Sequence, residues 1–173
     1  MNMSRNINKI VSLHPESKVY ELGGFDDVKI VAEEGRKYGD IYGYTYKRVE
    51  DKASPYYGKI VVDAQGLPLK SDKMSYIGNQ QPDFMAGITN SFAYKGFSLG
   101  FLFDMKFGGK IFSGTASSLY ASGVAAGTVV DGKRDKFVMP NTVVASGTGY
   151  ADNTVAVTPQ DYWGRVTSGN LGW

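Results

Sequence analysis

The sequence contains no cysteine, which excludes disulfide bonds, thiolate metal sites and cysteine nucleophiles. Its one histidine, His14, stands beside Pro15 at the end of a partial strand pattern, and we assign it no catalytic or metal-binding role. An excess of one charge is also lacking, because 19 basic residues face 17 acidic ones and the net charge is +2. Since no basic run is longer than a pair, we expect no nucleic-acid partner.

Long apolar runs are lacking as well. No stretch approaches the roughly 18 apolar residues of a transmembrane helix, and the first six residues lack the apolar core of a signal peptide. The strands of a transmembrane β-barrel need much less, namely alternating segments of about ten residues. The 22 Gly, 12 Tyr and 9 Phe residues indicate many strands and turns, so the composition favours an all-β fold.

The clearest pattern is an alternation that predicts a β-hairpin. Large apolar residues occupy every second position of one run, namely Phe97, Leu99, Phe101, Phe103, Met105 and Phe107. The residues between them are mostly small or polar, and Phe84 to Tyr94 repeats the alternation more loosely. Lys95-Gly96 lies between the two runs, and a glycine there suits a tight turn. We therefore expect an antiparallel hairpin with one apolar face.

The regions on either side of this hairpin are expected to be mainly loops. Residues 14–83 are polar and rich in turns, with short strand patterns such as Ile60-Val61-Val62. Residues 113–173 are rich in Gly, Ala, Ser, Thr and Val without sustained alternation, which is typical of a long functional loop. One short helix fits between Thr115 and Ala126, and the pair Tyr162-Trp163 is expected at the surface.

Two segments match the spelling of catalytic motifs but lack the required context. Gly96-Phe97-Ser98-Leu99-Gly100 matches a nucleophile elbow, yet its serine lies inside the predicted strand with no helix after it. Gly127 to Lys133 begins like a phosphate loop, but Arg134 stands where a Ser or Thr belongs. Asp63-Ala64-Gln65-Gly66 offers a single carboxylate to a cation. We predict no enzyme activity, no cofactor and no metal site.

Several segments, taken in order, carry a further signal: Ser4–Val11, Tyr38–Tyr44, Ile77–Phe84, Asn90–Leu99 and Gly108-Gly109. They resemble the C-terminal part of the barrel in the SusC/RagA family of TonB-dependent outer-membrane transporters. Beyond about Ser113 only Gly132-Lys133-Arg134 and Thr158 to Trp163 are similar. Members of that family carry an N-terminal plug, a TonB-contacting segment and a barrel of about 22 strands. The resemblance therefore implies that this chain is a fragment.

The resemblance implies antiparallel strands of a transmembrane β-barrel with long extracellular loops. Residues 1–13 would form a barrel strand, 14–83 an extracellular loop with small strands, 84–112 a barrel hairpin and 113–173 a long extracellular loop. The alternating apolar residues from Phe97 to Phe107 would face lipid. The small and polar residues between them would face a lumen, and the aromatics near the turn would form an interfacial girdle.

The function implied is nutrient uptake by an outer-membrane importer of oligosaccharides or oligopeptides. Such an importer acts with a SusD-like surface lipoprotein, and with the TonB system through parts of the parent outside this chain. Loop aromatics are the candidates for contact with substrate or lipoprotein. They are Tyr120, Phe137, Tyr150, Tyr162 and Trp163. Two alternatives are a soluble β-sandwich binding module, in which the apolar face packs on a second sheet, and an adhesive surface protein.

Overall fold

The computed structural model describes residues 1–129, 132–169 and 171. These residues form mainly antiparallel sheets with few helices, which confirms the all-β class. The strands are β1 Asn2–Ser4, β2 Val19–Phe25, β3 Val28–Glu33, β4 Asp40–Gly43, β5 Ile60–Val62, β6 Ser75–Asn79, β7 Phe84–Tyr94, β8 Phe97–Phe107, β9 Phe137–Val138, β10 Thr142–Ser146, β11 Gly149–Asp152 and β12 Ala156–Val157. The helices are α1 Gly114–Ala121 and α2 Pro159–Ser168, with a 3₁₀ turn at Ala126–Thr128.

The chain divides into two compact units. Unit 1 comprises residues 1–24, 29–41 and 76–111, and unit 2 comprises residues 25–28, 42–75 and 112–173. Among the described residues, no helix combines the length and the apolar character that crossing a membrane requires.

The predicted hairpin is confirmed as strands β7 and β8 of unit 1. The strands pair antiparallel over their full length, from Phe84 opposite Phe107 to Tyr94 opposite Phe97. Lys95 and Gly96 link them with φ values of +45° and +85°, and positive φ at both positions is the signature of a type I′ turn. This register places the apolar residues of both strands on one face of the sheet.

The strand predicted for residues 1–13 is much shorter in the structure. Only β1, Asn2–Ser4, pairs antiparallel with β7, so that the open sheet has the order β1-β7-β8. Farther along, the backbone of Ile10 bonds to a turn instead of to a strand. Its N–H donates to the Arg36 carbonyl at 2.9 Å, and its carbonyl accepts from the Gly35 N–H at 2.8 Å. The structure thus corrects the extent of this strand.

A polar network in unit 1 joins three of the segments that carry the family resemblance. The buried Asp40 carboxylate accepts from Asn79 Nδ2 at 2.8 Å and from Arg36 Nε at 2.5 Å. Asn79 also donates to the Tyr38 carbonyl at 3.1 Å, while the Tyr38 N–H donates to Asn8 Oδ1 at 2.8 Å. Because a buried carboxylate is costly unless its oxygens are bonded, these residues have a structural role.

The Gly108-Gly109 pair closes the base of the hairpin. Both glycines have positive φ, +72° and +80°. A Cβ on Gly108 would lie 2.7 Å from Asp83 Cγ and 3.1 Å from its backbone nitrogen, and one on Gly109 would lie 3.1 Å from the Gln80 carbonyl oxygen. The Asp83 N–H in turn donates to the Phe107 carbonyl at 2.7 Å. Left-handed backbone and close approach therefore both require glycine here.

Unit 2 differs from the long loop predicted for residues 113–173. The described part of this region contains α1, the 3₁₀ turn, β9 to β12 and α2. The predicted short helix is present as α1, although it begins at Gly114 and ends at Ala121. The strands have only two to five residues, which is too short for alternation to stand out in the sequence.

The core of unit 2 lies on both faces of β5. This strand pairs parallel with β10, whose other neighbour is the antiparallel β11. On one face Val61 packs with Val49 and Val143, and on the other Ile60 and Val62 pack with Met139. Burial on both faces explains why β5 is an unbroken apolar run.

Candidate functional site

Four of the five aromatic residues predicted to contact substrate meet in unit 2. The ring centroids are 4.3 Å apart for Tyr120 and Trp163, 5.0 Å for Tyr162 and Trp163, and 5.5 Å for Phe137 and Tyr162. All four side chains are half-buried. We call these four residues the aromatic cluster. Tyr162 and Trp163, expected at the surface of a loop, are instead partly buried on helix α2.

Helix α2 sets the geometry of this cluster. It begins after Thr158, whose Oγ1 accepts from the Asp161 N–H at 3.1 Å and lies 2.6 Å from Asp161 Oδ2. Proline at the first helical position and an acidic residue in the first turn add to this start signal. Consecutive helical residues point about 100° apart. Trp163 can therefore contact Tyr120 of α1 while Tyr162 contacts Phe137 of β9.

A hydroxyl pair fixes the far end of Tyr162. The hydroxyl oxygens of Tyr46 and Tyr162 are 3.2 Å apart, and both rings pack against the buried residues Ile60, Val62 and Met139. Burial, and next the hydrogen bond with Tyr162, raise the pKa of Tyr46 far above its usual range. Tyr46 therefore stays protonated at physiological pH and acts as a structural partner.

The fifth predicted aromatic, Tyr150, does not join the cluster. It lies on β11 and packs against Val49, Val61 and Val143. Its role in this structure is to cover a buried apolar cluster. The prediction that it contacts substrate has no support from its position.

An open cleft of about 580 Å³ lies beside the aromatic cluster. Aromatic and charged side chains line it together: Phe137, Tyr162, Trp163, Lys133, Asp135 and Lys136. A smaller opening of about 90 Å³ shares Thr128, Pro159 and Trp163 with it and is also lined by Arg134. The sequence prediction included the aromatic residues of this cleft and missed its lysines.

The cleft offers stacking surfaces and ammonium groups, which are suited to binding. Within the described ranges, no group of three or more His, Cys, Asp or Glu side chains could hold a metal ion.

Asp63, the single carboxylate weighed for a cation, has both oxygens engaged. Its Oδ1 accepts from the N–H groups of Gln65 and Leu67, and its Oδ2 accepts from Arg165, all at 3.0 Å.

The two catalytic near-matches have different outcomes. Ser98 lies within β8 opposite Ala93, and strand residues continue on both sides of it. A nucleophile elbow instead requires a sharp turn from strand to helix. The segment resembling a phosphate loop, Gly127 to Lys133, includes positions 130 and 131, which lie outside the described residues.

The predicted lipid-facing residues lie on one face of β8 in unit 1, and four of the six are exposed. We call Phe97, Leu99, Phe101, Phe103, Met105 and Phe107 the apolar row. Opposite them on β7 stand Tyr94, Phe92, Asn90, Ile88, Ala86 and Phe84. Phe97 is 81% exposed and Leu99 64%, whereas Phe101 and Met105 are half-buried. Leu102 is the exception to the alternation, because it is 66% exposed on the opposite face.

No protein-family model matches the chain, and no curated protein matches it. Two features of the described residues bear on function. They are the apolar row in unit 1 and the aromatic-lined cleft in unit 2.

Proposed function

We propose that the chain is part of a TonB-dependent outer-membrane importer of the SusC/RagA type, which takes up oligosaccharides or oligopeptides as nutrients. In this proposal the chain performs no bond chemistry. Its partners are a SusD-like surface lipoprotein and, through other parts of the parent, the TonB system. The segments that resemble the family and the apolar row both support this function.

The apolar row is the observation that carries the proposal. Exposed apolar surface of this extent on a protein marks a partner or a membrane. The row is continuous along β8, matched across the hairpin by apolar residues of β7, and stacked at its base, where the Phe84 and Phe107 rings are 4.3 Å apart. At the turn, Tyr94 and Phe97 are both strongly exposed, which suits an aromatic girdle at the membrane interface.

The length of the hairpin also suits a bilayer. Each strand has 11 residues. At about 3.3 Å per residue such a strand is roughly 36 Å long, and a tilt of about 45° reduces its rise to roughly 26 Å. The apolar band of an outer-membrane barrel is about 25 Å tall.

The free edges of this sheet favour a larger assembly. Strand β8 pairs with β7 alone among the described residues, and β1 covers only Met85 to Gly87 of β7. Unpaired strand edges are not tolerated in the hydrocarbon region, so neighbouring barrel strands would have to complete both edges. Short turns of such barrels are periplasmic and long connections extracellular. Unit 2 would then be a folded extracellular region that carries the cleft.

The proposal is tested by the detergent dependence of the purified chain. We expect the full chain to aggregate in plain buffer. In a mild detergent we expect monodisperse assemblies, in which copies of the chain pair at the free strand edges and the β-sheet circular dichroism is retained. Size-exclusion chromatography with light scattering measures both states. A chain that is monodisperse and unfolds cooperatively without detergent would overturn the membrane assignment. That result would favour the soluble β-sandwich module, with a second sheet covering the apolar row.

A further inference from the structure

The aromatic wall of the cleft in unit 2 is held in place before any ligand arrives. Trp163 contacts both Tyr120 and Tyr162, and Tyr162 is itself tied to the Tyr46 hydroxyl. Trp163 and Pro159 line both the large cleft and the smaller opening beside it. A ring fixed by its neighbours loses little side-chain entropy on binding. The aromatic cluster therefore presents a preformed apolar surface to a ligand, with neighbouring rings inclined to one another by 40°, 72° and 75°.

The charged side chains of the cleft are mostly basic. Lys133 and Lys136 line it, and neither forms an ion pair with any other residue that the structure describes. In the same unit Lys47, Lys59 and Lys70 each have a carboxylate partner, and these partners are Asp72, Asp152 and Asp27.

Arg134 adds a third cation at the smaller opening, where its Nη2 donates to the Gly123 carbonyl at 2.6 Å. Of the residues that the structure describes, Asp135 is the one acidic residue that lines the large cleft. Two ammonium groups that have no ion-pair partner among the described residues, placed in a concave site, attract anions.

We propose that this cleft binds an acidic oligosaccharide, that is, a chain of sugar rings bearing carboxylates. The C–H face of a pyranose ring would stack on Trp163, and the carboxylates would pair with Lys133 and Lys136. The volume of about 580 Å³ lies within the usual range of small-ligand sites. A fixed aromatic ring beside cations favours a rigid charged sugar ring over an acidic peptide, whose side chains are flexible and lose more entropy on binding. The choice of a saccharide rests on the proposed function.

The test compares charged and neutral ligands that share the same sugar rings, and adds an acidic peptide. Isothermal titration calorimetry on the full chain, in a detergent that keeps it monodisperse, would use tetragalacturonate and its fully methyl-esterified form. We expect the acid form to bind about tenfold more tightly than the ester at low ionic strength, and this preference to shrink as salt rises. Tetraglutamate supplies the same number of side-chain carboxylates without sugar rings and should bind more weakly than tetragalacturonate.

Variants separate the contributions of charge and stacking. The double change Lys133→Gln with Lys136→Gln should weaken the acid form about three- to tenfold and leave the ester unchanged. Lys52→Gln, at an exposed lysine elsewhere in unit 2, is the matched control and should have no effect. Trp163→Ala should weaken both sugar forms. Trp163→Phe keeps an aromatic ring and should retain most of the binding. If it does, the loss of binding in Trp163→Ala comes from the missing ring.

Several results would overturn the inference. One is that neither sugar binds, and another is that the acid and the ester bind with equal affinity. The inference would also fail if the lysine variants behaved like the Lys52 control, or if tetraglutamate bound as tightly as tetragalacturonate. The detergent experiment fails or succeeds independently of these results. If the chain prefers the acidic sugar but needs no detergent, the proposed sugar binding by the cleft stands and the proposed importer function is rejected. If the chain depends on detergent but binds no sugar, the proposed importer function stands and the proposed sugar binding by the cleft is rejected.

Discussion

The hydroxyl pair of Tyr46 and Tyr162 gives unit 2 a stability that depends on pH in a defined way. Tyr46→Phe removes one hydroxyl from a contact of 3.2 Å and keeps the ring that packs against Ile60, Val62 and Met139. A single neutral hydrogen bond contributes about 1 kcal/mol net. At pH 8 the variant should therefore be about 1 kcal/mol less stable than the parent chain.

At alkaline pH this difference should disappear. In the unfolded chain a tyrosine ionises near pH 10, whereas burial and the bond to Tyr162 raise the pKa of Tyr46 in the folded state. Its stabilising effect is complete below about pH 10 and is lost as the pH rises toward the folded-state pKa. At pH 11, about one unit above the unfolded value, the parent should have lost at most about 1.4 kcal/mol relative to Tyr46→Phe, because solvent screens this partly exposed hydroxyl. The variant should then equal or slightly exceed the parent in stability.

Urea unfolding at pH 8, 10 and 11, followed by near-ultraviolet circular dichroism, measures the gap between the two proteins. Tyr57→Phe is the control, because it removes the hydroxyl of an exposed tyrosine in the same unit. A gap for Tyr46→Phe that stays constant from pH 8 to 11 would refute this reasoning.

Three further pairs of substitutions, each a test variant with its control, examine the fold by thermal or urea unfolding. Val143→Ala empties a fully buried site and should cost about 2 kcal/mol, whereas Val138→Ala, at an exposed strand position, should cost less than about 0.5 kcal/mol. Gly108→Ala and Gly96→Ala both place a side chain on left-handed backbone, which costs about 1–2 kcal/mol. Gly108→Ala should destabilise the chain more, because its Cβ would also overlap Asp83, whereas a Cβ at Gly96 meets no atom within 4 Å. Equal losses of stability for the two variants would contradict this difference. Thr158→Ala removes the helix cap and should cost about 1 kcal/mol, while Thr158→Ser should restore it; equal losses would show that the cap is unimportant.

The hairpin was predictable because its signal is long and local. Eleven alternating residues in β8, a two-residue turn containing Gly96 and a matching run in β7 all indicate the same structure. Unit 2 offers no comparable signal. Its parallel pair brings Ile60 opposite Thr142, and no pattern near either residue reveals so distant a partner.

The candidate site was predictable in its residue types and not in its assembly. Large aromatics in a polar, glycine-rich region drew attention to Trp163 and its neighbours, but helix α2 determines which of them meet. The sequence does carry the start signal of that helix, Thr158-Pro159 followed by Asp161. Tyr150 lies apart from the aromatic cluster, against a buried apolar cluster, and the sequence could not indicate this because core and binding contacts demand the same kind of side chain. The lysines were missed because charges in a loop are usually solvated.

The central claim is that the apolar row faces lipid. Because the chain has no cysteine, a single cysteine placed in turn at each position from Phe97 to Phe107 can carry a fluorophore, with lipid-borne nitroxides as quenchers in nanodiscs. We predict quenching that alternates with period two and is strong at Leu99. We also predict weak quenching at Leu102, which is as apolar and as exposed but lies on the opposite face. Equal quenching at these two leucines, or none along the strand, would contradict this claim.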